Sequence, residues 1–197
     1  MVKLYKNFNI NNHHKNSIIL IGNFDGLHLG HQKLFKLALS YKKKYNSKIG
    51  VINFDPMPKM YFNNSLKNFK ISSVNQKLEL LKELKVDFII TKKFDKNFSK
   101  IKSIKFIKEI LYKKLNCKFI FVSNNFRFGN KREGDVKLLI QNEKNYNYKV
   151  IKPKPLLKSK KIVSSTIIRN LLEKGDLNRA NKFLGREWAI DGIVQKG

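Results

Sequence analysis

Two histidines set three residues apart in a glycine-rich turn are the most chemically pointed feature of this sequence. The turn reads Gly22-Asn23-Phe24-Asp25-Gly26-Leu27-His28-Leu29-Gly30-His31-Gln32 and follows the apolar run Ile18–Ile21. Gly22 and Gly26 let backbone N–H groups approach a ligand closely. Helical spacing begins near Gly30, so the positive end of a helix faces the same turn and makes it an anion site. His28 and His31 then share one side of the first helical turn, where both imidazoles can donate to phosphate oxygens. The chain holds 4 histidines in all, and two of them falling in this turn argues against an incidental pair. Zinc is the weaker reading, because no cysteine or acidic ligand set accompanies the two rings.

Three further stretches carry chemistry. Ser164, Ser165 and Thr166 precede an amphipathic run, offering a helix cap plus hydroxyls, and Arg169 sits about one turn on. Together they predict a second phosphate clamp facing the first, although a capped helix with a surface arginine explains them when taken alone. Ser123–Arg132 contains Asn124, Asn125, Phe126, Arg127 and Phe128, amides and rings that suit a nucleotide or flavin. Asp55-Pro56-Met57-Pro58, followed by Phe62, is a stiff turn able to present a flat apolar wall; its plain reading is a strand stop.

These stretches need a scaffold that brings them together. Apolar runs at Ile18–Ile21, Lys48–Phe54, Asp87–Thr91, Lys118–Val122 and Lys149–Ile151 read as strands. Between them, Gly30–Tyr45, a run through Leu78, Leu81 and Leu84, a run from Ser103 to Leu115, and Asp135–Tyr146 read as helices. Such alternation predicts an α/β fold, a Rossmann-like doubly wound parallel sheet with ligands at the carboxyl ends of its strands. Ser164–Lys174 and Asp176–Leu184 read as two short helices split by Gly175. Trp188–Val194 reads as one more strand without an obvious partner.

Composition sets the outer bounds. A chain of 197 residues with 42% hydrophobic residues can bury a sizeable core, which excludes disordered and fibrous classes. The early apolar run is too short to span a bilayer, and the polar start lacks a signal-peptide pattern. The single Cys117 forms no internal disulfide. A soluble, cytoplasmic protein is expected. Net charge is +28, yet only 5 basic residues are arginine, and the chain holds 37 Lys, 23 Asn and 21 Ile. Those residue types have A/T-rich codons, so genome bias accounts for the charge better than nucleic-acid binding does. Nucleic-acid recognition favours the arginine fork.

The string Gly22–Gln32 resembles the opening motif of the FMN adenylyltransferase module of bacterial bifunctional riboflavin kinase/FAD synthetases, and His-Leu-Gly-His resembles the H-x-G-H signature of the wider nucleotidyltransferase superfamily. Asn53–Pro58 resembles that family's F-D-P-H-P segment. Phe126–Gly129 with Arg132, Gly134 and Asp135 resembles its F-R-F-G-x-x-R-x-G-D loop, Ser164–Arg169 resembles its S-S-T-x-I-R motif, and Gly175-Asp176 through Leu184-Gly185-Arg186 follows at the expected spacing. The resemblance spans about residues 17–197. It implies a Rossmann-like fold and the reaction ATP plus FMN to FAD and pyrophosphate, with Mg2+ accompanying ATP and no protein metal site. It implies catalytic roles for His28, His31 and Arg169. It assigns ATP to Gly22, Asn23, Phe24, Asp25, Gly30, Ser164, Ser165 and Thr166, and FMN to Asp55, Pro56, Pro58, Phe62, Asn125 and Phe128. Met57 stands where the family usually has His, leaving Lys59 as a substitute contact, and Ser123 replaces a usual Gly. Residues 1–186 are expected to form the adenylyltransferase domain. Residues 187–197 resemble the first strand of the riboflavin kinase domain that the family carries at its C-terminus, whose G-R-x-x-G-F-P-T-A-N signature does not occur here, so kinase activity is not expected. ATP and FMN are the expected partners, with no nucleic acid or membrane. The alternatives are a sister nucleotidyltransferase for nicotinamide mononucleotide or phosphopantetheine, and a basic nucleic-acid-binding module. An aminoacyl-tRNA synthetase also carries H-x-G-H, but this chain is short for one and has no recognisable K-M-S-K-S loop.

Overall fold

A computed structural model of the protein describes residues 2–66, 69–158 and 161–192. Its centre is a six-stranded sheet built from β1 (Lys3–Tyr5), β2 (Ile18–Ile21), β3 (Ile49–Asp55), β4 (Phe88–Lys93), β5 (Phe119–Phe121) and β8 (Lys149–Ile151). Their spatial order is β1-β4-β3-β2-β5-β8, and every pairing is parallel. Parallel neighbours require crossovers, and helices supply them. These are α1 (Leu29–Tyr45), α2 (Pro58–Phe62), α3 (Val74–Glu83), α4 (Lys96–Ser99), α5 (Ser103–Lys105), α6 (Val136–Gln141) and α7 (Glu143–Tyr146), with α8 (Ser165–Glu173) and α9 (Leu177–Leu184) following the sheet. Two short antiparallel ribbons complete the pattern, β6 (Arg127–Phe128) with β7 (Gly134–Asp135) and β9 (Leu157–Lys158) with β10 (Lys161–Ile162).

Strand alternation assigns each side chain to a face. Ile18, Leu20, Ile49, Val51 and Ile89 pack with Leu34, Phe35 and Ala38 of α1 and Leu81 of α3. Ile19, Ile21, Ile52, Phe54 and Ile120 face the other way, against Phe106, Ile107, Leu111 and Leu139. Because both faces are covered, β2 is buried throughout and reads as an unbroken apolar run. A third, smaller core joins α8 and α9 through Ile168, Leu171, Ala180 and Phe183.

The doubly wound sheet matches the expected class. From β2 the chain steps outward to β3 and β4, then returns to place β5 against the other side of β2. The crevice between the β2 and β5 carboxyl ends is therefore the switch point where such folds bind ligands. Four local features depart from expectation. Lys3–Tyr5 adds an edge strand that three half-exposed residues could not announce. Asp135–Tyr146 divides into α6 and α7 at Asn142, whose N–H turns back to Leu139. The helix after Ser103 widens into π winding over Phe106–Lys114. Trp188–Gly192 is irregular rather than a strand, and its indole N–H donates to the Ile71 carbonyl at 2.9 Å. The remainder of that expected strand, Ile193 and Val194, lies outside the described residues.

Candidate active site

The turn between β2 and α1 has an unusual backbone. Phe24, Gly26 and Leu27 all adopt positive φ, at 48°, 76° and 38°. For Phe and Leu this costs on the order of 1 kcal/mol or more each and persists only where surroundings enforce it. The enforcement comes through the carbonyls. Lys77 Nζ donates to Asn23 O at 3.4 Å, Ser165 Oγ to Asp25 O at 3.0 Å, Arg186 Nη1 to Gly26 O at 2.8 Å and Gln32 Nε2 to Leu27 O at 3.0 Å. Leu27 N–H closes onto Phe24 O at 3.2 Å. Among the described residues no protein group accepts from the amides of Asn23, Phe24, Asp25 or Gly26. A turn with its carbonyls tied and its amides free is an anion cradle.

His28 is the N-cap of α1, and its Nδ1 accepts from the His31 N–H at 3.3 Å. An accepting Nδ1 leaves the proton on Nε2, so a neutral His28 is a hydrogen-bond donor. The ring is 5% exposed and stacks on His31 with centroids 3.7 Å apart. Burial first, then the nearby Arg169 and Arg186 charges, lower the His28 pKa to about 4, against a partly opposing backbone hydrogen bond. Burial and the His28 ring hold the His31 pKa well below its usual value. Both imidazoles are therefore neutral donors at pH 7, and neither brings positive charge to the site. Gly30 sits in a tight spot: a Cβ there would lie 3.1 Å from the His28 ring and 3.3 Å from Val163 O, so the neighbours would have to give by a few tenths of an ångström.

Arg169 is held differently from the expected free clamp. Its Nη2 donates to Asp25 Oδ2 at 2.6 Å, its Nε to Phe69 O at 2.8 Å, and its plane lies 3.7 Å from the Phe69 ring centroid. Asp25 is 4% exposed and also accepts the Ile71 and Ser72 amides. The pair thus pins the 69–72 segment and α8 to the turn. Ser164 caps α8 by accepting from Ile167 N–H, whereas Thr166 is exposed.

Beside the turn opens a cavity of about 720 Å³. Gly22 and Asn23 form one wall, Ser123 and Asn125 after β5 another, and Phe54, Phe62, Phe94, Phe98, Phe106, Phe126 and Phe128 supply seven aromatic rings. Lys59, Arg127, Lys131 and Arg132 also line it. The β6–β7 loop is docked by the Ser103 N–H donating to Glu133 Oε1 at 2.6 Å and by Gly129 and Gly134, where a Cβ would collide with Ser103. Of the expected flavin residues, Pro58, Phe62, Asn125 and Phe128 reach this cavity. Asp55 instead pairs with Lys70 at 2.9 Å, and Pro56 lines a separate cavity with Tyr61 and Leu66. Met57 is buried and stands at the start of α2.

Sequence reasoning missed Lys77, Gln32 and Arg186 as parts of the turn. One signal was available. In a chain that uses lysine almost throughout, four of its five arginines, Arg127, Arg132, Arg169 and Arg186, stand at this crevice.

A Rossmann-like sheet with an amide cradle and an H-x-G-H histidine pair at its switch point defines a nucleotidyltransferase-type domain. Comparison with known proteins narrows this: the FAD synthetase family model matches residues 10–167, and the chain belongs to that family. A bifunctional riboflavin kinase/FMN adenylyltransferase of Buchnera aphidicola subsp. Schizaphis graminum is 41% identical over 190 residues, 96% of this chain and 61% of that protein. The Escherichia coli K12 protein of the same name is 33% identical over 180 residues, 91% of this chain and 58% of that one. An FAD synthetase of Listeria monocytogenes is 32% identical, covering 92% of this chain and 73% of its own length. The chain thus spans about three fifths of the bifunctional relatives it matches. Among solved structures, one described as a macrolide-efflux protein from Streptococcus pneumoniae superimposes with a TM-score of 0.80 at 26% identity, over 95% of this chain and 72% of that one. Among the described residues of this chain, no helix is long and apolar enough to cross a membrane.

Proposed function

We propose that this chain transfers the adenylyl group of ATP to FMN, giving FAD and pyrophosphate. The observation that carries the reading is the contact between two unlike compartments at one switch point: an amide cradle with two neutral imidazole donors, and an aromatic cavity of about 720 Å³ sized for a tricyclic ring. The FMN phosphate oxygen attacks the α-phosphorus of ATP in line as the bond to pyrophosphate breaks. That nucleophile is already anionic near neutral pH, so no side chain needs to act as a base. The protein holds two anions in register and stabilises charge growing on the leaving oxygens.

His28 and His31 donate to ATP phosphate oxygens, with Asn23–Gly26 amides beside them. Ser164, Ser165 and Thr166 at the start of α8 face the pyrophosphate side. Arg169 acts through Asp25 to fix the turn. Phe62, Asn125, Phe128 and Pro58 hold the flavin, and the rim cations Lys59, Arg127, Lys131 and Arg132 offset the FMN phosphate. Mg2+ would accompany ATP and screen the triphosphate oxygens. Incubation with ATP, Mg2+ and FMN, followed by chromatography, should yield FAD and pyrophosphate. Absence of FAD, or equal use of nicotinamide mononucleotide, would overturn the reading.

A further inference from the structure

Arg186 lies beyond the residues matched by the family model, and no site role is assigned to it above. The end of α9 is built to deliver it. Gly185 takes φ 75° as the helix C-cap, and a Cβ there would sit 2.4 Å from Leu29 at the start of α1. Only glycine allows the two helix ends to approach this closely. Gln32 locks the approach, its Nε2 donating to Leu184 O at 2.9 Å and to Leu27 O at 3.0 Å. The chain leaving Gly185 then places Arg186 Nη1 2.8 Å from Gly26 O.

The guanidinium is half-buried and makes no salt bridge among the described residues. Glu83 acts on it only at a distance, and a partly desolvated cation without a contacting carboxylate is costly unless something nearby uses it. Two things use it here. Gly26 is held between Arg186 and Ile71, whose side chain would lie 2.8 Å from a Cβ at Gly26, so the turn is gripped from both sides. The positive charge also reaches His28, where it disfavours the imidazolium.

We propose that Arg186 is a positioning residue for ATP, holding the Gly26 carbonyl away from the nucleotide so that the Asn23–Gly26 amides stay free for its phosphates. The inference rests on the adenylyltransfer reading, but its test does not depend on product formation. ATP alone would be titrated by calorimetry into wild type, Arg186→Lys, Arg186→Gln and Arg186→Met, with FMN binding followed by flavin fluorescence and unfolding by thermal melting. Loss of a charge-assisted hydrogen bond predicts ATP binding at least about tenfold weaker in Arg186→Met. Arg186→Lys restores most of it, because a carbonyl needs one donor rather than a planar fork. Arg186→Gln falls between, keeping a donor without the charge. FMN affinity stays unchanged in all four proteins. In turnover, KM for ATP rises while KM for FMN does not.

Wild-type ATP affinity in Arg186→Met overturns the proposal, as does a parallel loss of ATP and FMN binding with a lowered melting temperature. Should Arg186→Met not fold, the Lys and Gln variants decide by the same ATP-against-FMN contrast. A wild-type protein that binds ATP without forming FAD would sink the adenylyltransfer reading and leave this contrast readable. One that binds no ATP would overturn both.

Discussion

Acid should unfold this protein in part through His28. The folded state holds its pKa at about 4, against 6.5 for an unperturbed histidine, because a 5% exposed ring beside two guanidinium groups cannot take a proton cheaply. An unfolded chain can. Between these values the unfolded state binds the extra proton, so the stability His28 contributes is complete above pH 6.5 and is lost as pH falls toward 4. At pH 4.5 linkage gives a loss on the order of 2–3 kcal/mol relative to pH 7.5 from this one group. Urea unfolding at the two pH values would measure it, with His28→Asn as the reference, since Asn retains a cap for the His31 N–H. His14 and His31 also titrate in this window, and burial, the largest cause of both shifts, is common to the two proteins. The variant should lose on the order of 2–3 kcal/mol less than wild type on acidification. Equal losses would mean that His28 is not buried as a neutral ring, and the donor role assigned to it would fall with that.

Removing the His31 imidazole in His31→Ala should cut FAD formation at least about tenfold without unfolding the protein, as for a lost transition-state donor; near-wild-type turnover would exclude it from the reaction. Arg169→Ala strands the buried Asp25 carboxylate and should lower unfolding free energy by about 3 kcal/mol as well as slowing turnover. Adding Asp25→Asn should recover part of that stability, and no recovery would refute the ion-pair account. Phe62 is 69% exposed on the cavity rim, so Phe62→Ala should weaken FMN binding in a fluorescence titration while the melting temperature holds. Lys43→Ala and Lys144→Ala serve as surface controls expected to change neither activity nor stability.

The legible parts of this molecule are those that repeat locally. Ile18–Ile21 and Asp87–Thr91 announce buried strands because both faces of a parallel strand must be apolar. The amphipathic spacing of Leu34, Ala38 and Tyr41 marks α1 to within a residue. The glycine turn and its histidines are legible because φ above zero and close approach to an anion both call for glycine. What could not be read is long-range. Arg169 looks like a phosphate ligand one turn past a cap, and only the fold shows Asp25, 144 residues earlier, holding it. Arg186 and Lys77 sit among many cations, and nothing local separates a carbonyl tie from a solvated side chain. The neutrality of both rings comes first from burial, then from Arg169 and Arg186 at His28 and from His28 at His31. Asp55 and Pro56 adjoin Pro58 in sequence, yet the turn they make sends them away from the aromatic cavity.

The tied turn also orders events in time. Residues 22–27 are made early in synthesis, but the groups that hold their carbonyls arrive at Lys77, Ser165 and Arg186. A nascent chain can pair β2 with β3, and hold Leu27 through Gln32, while the Asp25 and Gly26 carbonyls still lack the ties that come with Ser165 and Arg186. The proposed nucleotide binding would therefore test completed folding rather than the sheet alone. On the proposed assignment, ATP binding only the finished turn would draw α8 and α9 into place, stabilising them by RT ln(1 + [ATP]/Kd). Protease resistance of the α8–α9 pair should thus rise with ATP, well over a hundred residues away in sequence from the amides that bind it.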